Sequence, residues 1–198
     1  NLSGVFTSER WGTILYKVAT ATEPTSYTFV LDTDNNGSNG SIVAFSGVDQ
    51  TTPFDTASGT LSVQASQTGI VATTKTTVTP NAAIIMLAMA PQGNVAFSGW
   101  TTTSPGTLTE LYDNGANNRG SVGAAWAIMP TIGSTGNGSA ALSAAERNGA
   151  ILVALRPYIP PPANDICSGA ITLTSNTTCT TTTGSTTGAT DNNETGDC

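Results

Sequence analysis

The 198 residues carry 6 basic against 13 acidic side chains, a net charge of −7, and only 10% of them are charged. A typical domain has roughly 25% charged residues; here Thr, Ser, Gly and Asn take their place. Excess acid without a Lys/Arg cluster excludes a phosphate-backbone partner. The lack of histidine excludes Ser-His-Asp and Cys-His catalysis and the commonest zinc ligand. No apolar run reaches the length of about 18 residues that a membrane span needs, so neither nucleic-acid binding nor membrane insertion is expected.

From residue 12 to 156 the chain reads as one short strand after another. "TILYKVA" (13–19), "SYTFVL" (26–31) and "SIVAFSGV" (41–48) come first, with alternation in the second that predicts a strand half-exposed to water. "TLSVQAS" (60–66) and "IVATTKTTV" (70–78) are weaker candidates. "NAAIIMLAMA" (81–90) is apolar throughout and predicts a central strand covered on both faces. "GTLTELY" (106–112), "SVGAAWAIM" (121–129) and "GAILVAL" (149–155) follow, each bounded by Gly, Pro, Asn or Asp. No segment has a helical period with caps. Roughly eight to ten short strands predict an all-β fold, a two-sheet jelly-roll-like sandwich over residues 1–158.

The four prolines between Pro157 and Pro162 mark a semi-rigid spacer, with the linker proper at 159–163. Residues 164–198 then hold one plausible strand, Ala170 to Thr174, in Thr-rich sequence too polar to bury a core alone. They read as the first part of a second β-module. All three cysteines, Cys167, Cys179 and Cys198, fall in the last 32 residues. Such clustering points to a disulfide staple in an oxidising compartment. Three single bridges can be drawn; Cys167 to Cys179 closes a short local loop and is the expected one, with Cys198 partnered beyond the end of the chain.

"DTDNNGSNG" (32–40) is the most chemical-looking stretch. Asp32, Asp34, Asn36 and Gly37 reproduce the first half of a calcium-binding loop, but the twelfth position, where a bidentate Glu belongs, is Val43. The simpler reading is a turn built from Asn and Gly; the alternative is a calcium site completed by other loops. Calcium is the one cofactor the sequence suggests. Glu110 and Asp113 flank Tyr112 and invite comparison with a glycosidase pair, yet residues three apart in a regular strand face opposite ways. No enzyme activity is expected. Of the aromatics, Trp126 inside "GAAWAIM" is expected in the core, whereas Trp100, at a loop edge, and Tyr112 are the candidate glycan contacts.

"LYKVATATEPTSYTF", "SIVAFSGVDQTTPFD" and "NGAILVALRP" together resemble a β-sandwich module of bacterial secreted proteins and some phage structural proteins. The match covers most of residues 1–157 and rests on core and corner positions, so it implies fold more than function. In that module an opening strand precedes the "YKVA" strand, and such a strand is expected before Asn1; without it the sandwich would carry an exposed edge. "PPANDICSGAITLT" with the following cysteines resembles a segment of large extracellular Bacteroidetes proteins exported by the type IX system, adhesins among them. "DTA" (55–57) resembles the O-glycosylation motif of the same group, with Thr56 as acceptor. The resemblance implies a non-catalytic structural or adhesive module of a large secreted or cell-surface protein. Its partners would be other domains of the same polypeptide, a surface polysaccharide or neighbouring subunits. A carbohydrate-binding module of a secreted enzyme and a subunit of an extracellular filament or phage tail are the alternatives.

Overall fold

The structure, a computed structural model, describes residues 2–7, 10–30, 38–116, 120–165, 167–173, 175, 177–178 and 181–190. The chain divides into two compact units, Asn1–Pro157 and Tyr158–Cys198. The first is all-β. Its described strands are β1 (Leu2–Thr7), β2 (Arg10–Ile14), β3 (Ser62–Ala72), β4 (Ala82–Ala90), β5 (Phe97–Thr101), β6 (Thr109–Ala116), β7 (Gly120–Met129) and β8 (Gly138–Leu155). β1 and β2 form an antiparallel hairpin, and the other six strands form one antiparallel sheet in the order β3-β8-β4-β7-β6, with β5 added alongside β8.

β8 organises this sheet. Its first residues, 138–142, pair with the end of β3 and with β5, whereas 149–155 pair with the start of β3 and with β4. A methyl group added to Gly138 would sit 3.0 Å from Met86 Sδ and 3.2 Å from Leu152 Cδ2. Gly138 and Leu152 would be about 46 Å apart in a straight strand at about 3.3 Å per residue. The strand therefore doubles back, and the sheet folds over its own face in the manner of a sandwich. The turning point falls where the β3–β8 register shifts, between Gln64 and Gly69. There the fully buried Asn148 donates its amide to the carbonyls of Gln67, Gly69 and Glu146 at 3.1–3.3 Å, supplying donors to carbonyls beside the ladder's breaks.

The core lies inside the fold. Ile84, Met86 and Ala88 of β4, Ala125 and Met129 of β7, and Leu152 and Ala154 of β8 face Ile70 and Ala72 of β3, Phe97 and Trp100 of β5, and Leu142. The opposite face is covered too, for Ile85, Ile151 and Val153 are also buried. "AAIIMLAMA" is thus a central strand shielded on both faces, as its unbroken apolar run predicts, and it is paired on both sides.

Three predicted strands do not form. Only Thr13 and Ile14 of "TILYKVA" belong to β2; residues 15–19, 26–30 and 41–47 are in no strand, and Val48 makes a single bridge to Pro157. Their alternation is right for strands, but a strand exists only where a neighbour completes its ladder, and no described strand runs beside them. Residues 39–41 instead dock through side chains: Asn39 Nδ2 donates to the carbonyls of Asn114 and Gly120 at 2.7 and 2.9 Å, and Asn114 Nδ2 returns bonds to Asn39 and Gly40. In the second unit Ala170–Leu173 likewise form no strand, with Ile171 and Leu173 exposed; a 3-10 turn at Cys167–Gly169 is its one regular element among the described residues.

Candidate functional site

Two corners of the first unit gather polar side chains. At the first, residues 48–57 run against the end of β8. Val48 bridges Pro157, Phe54 bridges Leu155, Asp49 N–H donates to the Arg156 carbonyl at 2.9 Å, and Asp55 N–H donates to that of Ala154 at 2.8 Å. The Asp55 carboxylate is buried; Oδ2 accepts the N–H groups of Val78 (2.7 Å) and Thr79 (3.3 Å), while Oδ1 stands 3.6 Å from Arg156 Nε. Arg156 also reaches the Thr52 hydroxyl and the Asp55 carbonyl, both at 3.3 Å. The charge pair therefore ties three segments of backbone together. The Thr56 hydroxyl is buried here without a hydrogen-bond partner. Thr56 as a whole is partly exposed, and the next residue of the "DTA" stretch, Ala57, is exposed.

The second corner joins β5 to β6. Trp100 is 4% exposed and stacks on Phe97 with ring centroids 5.6 Å apart. Its indole N–H donates to Glu110 Oε2 at 2.9 Å, and Asp113 Oδ2 accepts the Phe97 N–H at 2.9 Å. Strand parity alone would put Glu110 and Asp113 on opposite faces. The register shift between Glu110 and Tyr112 inserts one residue, so Glu110 lies opposite Ala125 and Asp113 opposite Gly123, two apart on β7 and on one face. The same device operates in β5, where Gly99, at φ 64°, sits inside the shift between Ser98 and Thr101 and brings Phe97 and Trp100 to one side. Trp100 is a core residue and offers no surface for a sugar. Tyr112, opposite Ala124, lies on the other face from Asp113; burial raises its phenol above the ordinary value. The expected glycan pair is not brought together.

Of Trp100 and Trp126, the indole that meets solvent is Trp126, which sequence placed inside. It floors an open groove of about 360 Å³ with Phe45 edge-on at 5.7 Å and 68°, exposed Leu111 and Ile128, and a rim that includes Ser46, Asn81 and the partly exposed Arg156. Phe45 reaches the groove because the Asn39–Asn114 contacts hold the chain just before it against the β6–β7 hairpin. The signal for this site lies in "VGAAWAI": Gly123 is small because Phe97 and Trp100 fill the space it faces, Ala125 and Ala127 pack with the same core, and alternation leaves Trp126 to the outside. A methyl on Gly123 would come within 2.8 Å of Phe97 and 2.9 Å of Trp100.

The calcium candidates Asp32, Asp34 and Asn36 lie outside the described residues, as do Cys179 and Cys198; Cys167 begins the 3-10 turn. Among the described residues no three His, Cys, Asp or Glu side chains cluster as metal ligands. A separate polar group clips residues 17–27. Lys17 Nζ donates to Glu23 at 2.7 Å, the Tyr27 hydroxyl bonds the same oxygen, and Thr20 N–H donates to the other at 2.7 Å. Lys17 above all, then Tyr27 and Thr20, hold the Glu23 carboxyl down at about 2, while the same bonds raise Lys17 and Tyr27.

Compared with protein-family models, with curated proteins and with solved structures, the chain matches none. The fold and the groove define a class, an all-β sandwich-like domain with an aromatic surface groove.

Proposed function

We propose that the chain is a non-catalytic structural and adhesive module of a large secreted or cell-surface bacterial protein. One observation carries the reading: the carboxylates of the two polar corners are spent on backbone and indole N–H groups. Asp55 holds Val78 and Thr79, Asp49 holds Thr51 and Thr52, Asp113 holds Phe97 and Glu110 holds Trp100. Carboxylates engaged in this way stiffen loops, which suits a load-bearing spacer, and Glu110 and Asp113 owe their shared face to a bulge that serves packing. Sparse charge, abundant Thr and Ser and the late cysteines agree with an extracellular location.

A second reading is favoured by the groove. An indole beside a phenyl ring, rimmed by a carboxamide and a hydroxyl, is the pattern that stacks on and hydrogen-bonds a pyranose. Adhesion would then act through glycan contact at Trp126 and not at Trp100. Incubating the chain with a panel of polysaccharides tests both readings. Retention of polysaccharide without new reducing ends, lost in Trp126→Ala, is the expected result. Release of reducing ends that stops in Glu110→Gln or Asp113→Asn would overturn the non-catalytic reading. Binding unchanged in Trp126→Ala would overturn the groove.

A further inference from the structure

We infer that Asn39 is a site of spontaneous deamidation, and that its conversion to aspartate or isoaspartate releases one wall of the Trp126 groove. Asparagine is among the thermolabile residues. The backbone nitrogen of the next residue attacks the side-chain carbonyl carbon; a C–N bond forms and ammonia leaves as a cyclic succinimide closes. Water then opens the ring at either carbonyl, giving aspartate or isoaspartate. The balance is one water gained and one ammonia lost, with no change of oxidation state. Glycine in the second position favours ring closure, because no Cβ hinders the attacking nitrogen.

Four Asn–Gly pairs lie among the described residues, at 39–40, 114–115, 137–138 and 148–149, and the fold treats them differently. Asn148 and Gly149 are buried, and Gly149 pairs with Val63 on one side and Met89 on the other. Gly138 is buried at the start of β8, opposite Ala72. Gly115 pairs with Ser121 in the β6–β7 ladder, and a methyl added to it would stand 3.1 Å from the Asn94 backbone nitrogen. At these three, ring closure requires a strand to peel from the sheet. Asn39–Gly40 lies in no strand. Gly40 is exposed, its N–H has no acceptor among the described residues, and an added Cβ would meet nothing within 4 Å. The hydrogen bonds of the Asn39 amide slow the reaction while they last, so conversion runs through local openings, which come most easily outside the sheet.

The reaction removes the hold on residues 41–47. Asn39 Nδ2 donates to the carbonyls of Asn114 and Gly120 at 2.7 and 2.9 Å. In aspartate an acceptor-only oxygen stands where that donor was, so two hydrogen bonds become two repulsive oxygen–oxygen contacts. Isoaspartate also inserts a methylene into the main chain, which shifts the Gly40 carbonyl and Ser41 hydroxyl from the Asn114 amide they accept at 3.2 and 3.4 Å. Residues 41–47 join no strand, and their next backbone tie is the bridge from Val48 to Pro157. Phe45, edge-on to Trp126 at 5.7 Å and part of the groove lining, lies between those two anchors. Loss of the first anchor lets Phe45 leave the indole.

The test is peptide mapping of the full chain after ageing in warm, mildly alkaline buffer, with chymotrypsin as the probe of Phe45. Fragment ions should place a gain of one mass unit at Asn39 well before Asn114, Asn137 or Asn148, as a mixture of aspartate and isoaspartate. Cleavage after Phe45, measured against cleavage after the exposed Tyr158, should rise several-fold in the aged chain. Asn39→Asp should show the raised cleavage without ageing. Gly40→Ala keeps the Asn39 amide and has room for its methyl; it should be cut like the fresh chain and convert several-fold more slowly at residue 39. Asn39 that stays intact, or that outlasts any of the other three, would overturn the assignment of the site. Phe45 cleavage unchanged in both the aged chain and Asn39→Asp would overturn the release of the wall. Neither readout depends on sugar retention at Trp126.

Discussion

At Gly123 a single hydrogen atom sets how closely β5 can approach β7. The methyl of alanine would lie 2.8 Å from the Phe97 ring and 2.9 Å from that of Trp100, and two stacked rings pinned by the Trp100–Glu110 and Phe97–Asp113 bonds cannot slide aside. Overpacking of this kind costs about 1–3 kcal/mol, which lowers the melting temperature by roughly 2–4 °C per kcal/mol in a chain of this size. Gly69 provides the control. An added methyl there meets nothing within 4 Å, and its φ is not in the left-handed region. Gly69→Ala should stabilise by about 0.4–1 kcal/mol by restricting the unfolded chain. Thermal melts of the two variants should therefore move in opposite directions. If Gly123→Ala melted at or above the wild-type temperature, the close approach of β5 would be wrong.

At the scale of elements, bulges decide what alternation alone leaves open. "AAIIMLAMA" and the closing "GAILVAL" are legible because each is apolar and bounded by turn residues, whereas β6 runs on to Ala116, past the Asp113–Asn114–Gly115 cluster that reads as its end. The bulges in β5 and β6 are not legible, since one inserted residue leaves the composition unchanged while reversing the face of everything beyond it. That is why Trp100 reads as a rim residue yet is core, and why Glu110 and Asp113 read as opposed yet share a face. The first half of β8, "GSAALSAAE", is too small-residued to stand out as strand, and its role follows from partners far away in sequence. The β6 bulge can be tested energetically. Asp113→Ala deprives the Phe97 N–H of its acceptor and should cost about 1–2 kcal/mol in urea unfolding. Glu110→Gln keeps a carbonyl oxygen for the Trp100 indole and should cost less than half as much. Equal losses in the two would mean that Asp113 does not hold β5.

Across the whole molecule, stability should be distributed as the pairing is. β4 is hydrogen-bonded along both edges and covered on both faces, so its amides open only when the first unit unfolds globally. Residues 15–30 lie at the other extreme, exposed and in no strand, held by the Glu23 clip and the edge-on contact of Tyr16 with Phe54 at 4.7 Å. Native-state hydrogen exchange of a dilute sample should show Ile84–Leu87 as the most protected amides and Tyr27–Val30 among the least. The contrast should span most of the global unfolding free energy, because one segment requires every strand to part and the other none. Protection equal to that of β4 in dilute solution would show instead that residues 15–30 already have a strand partner, and the exposed surface they present would then not exist.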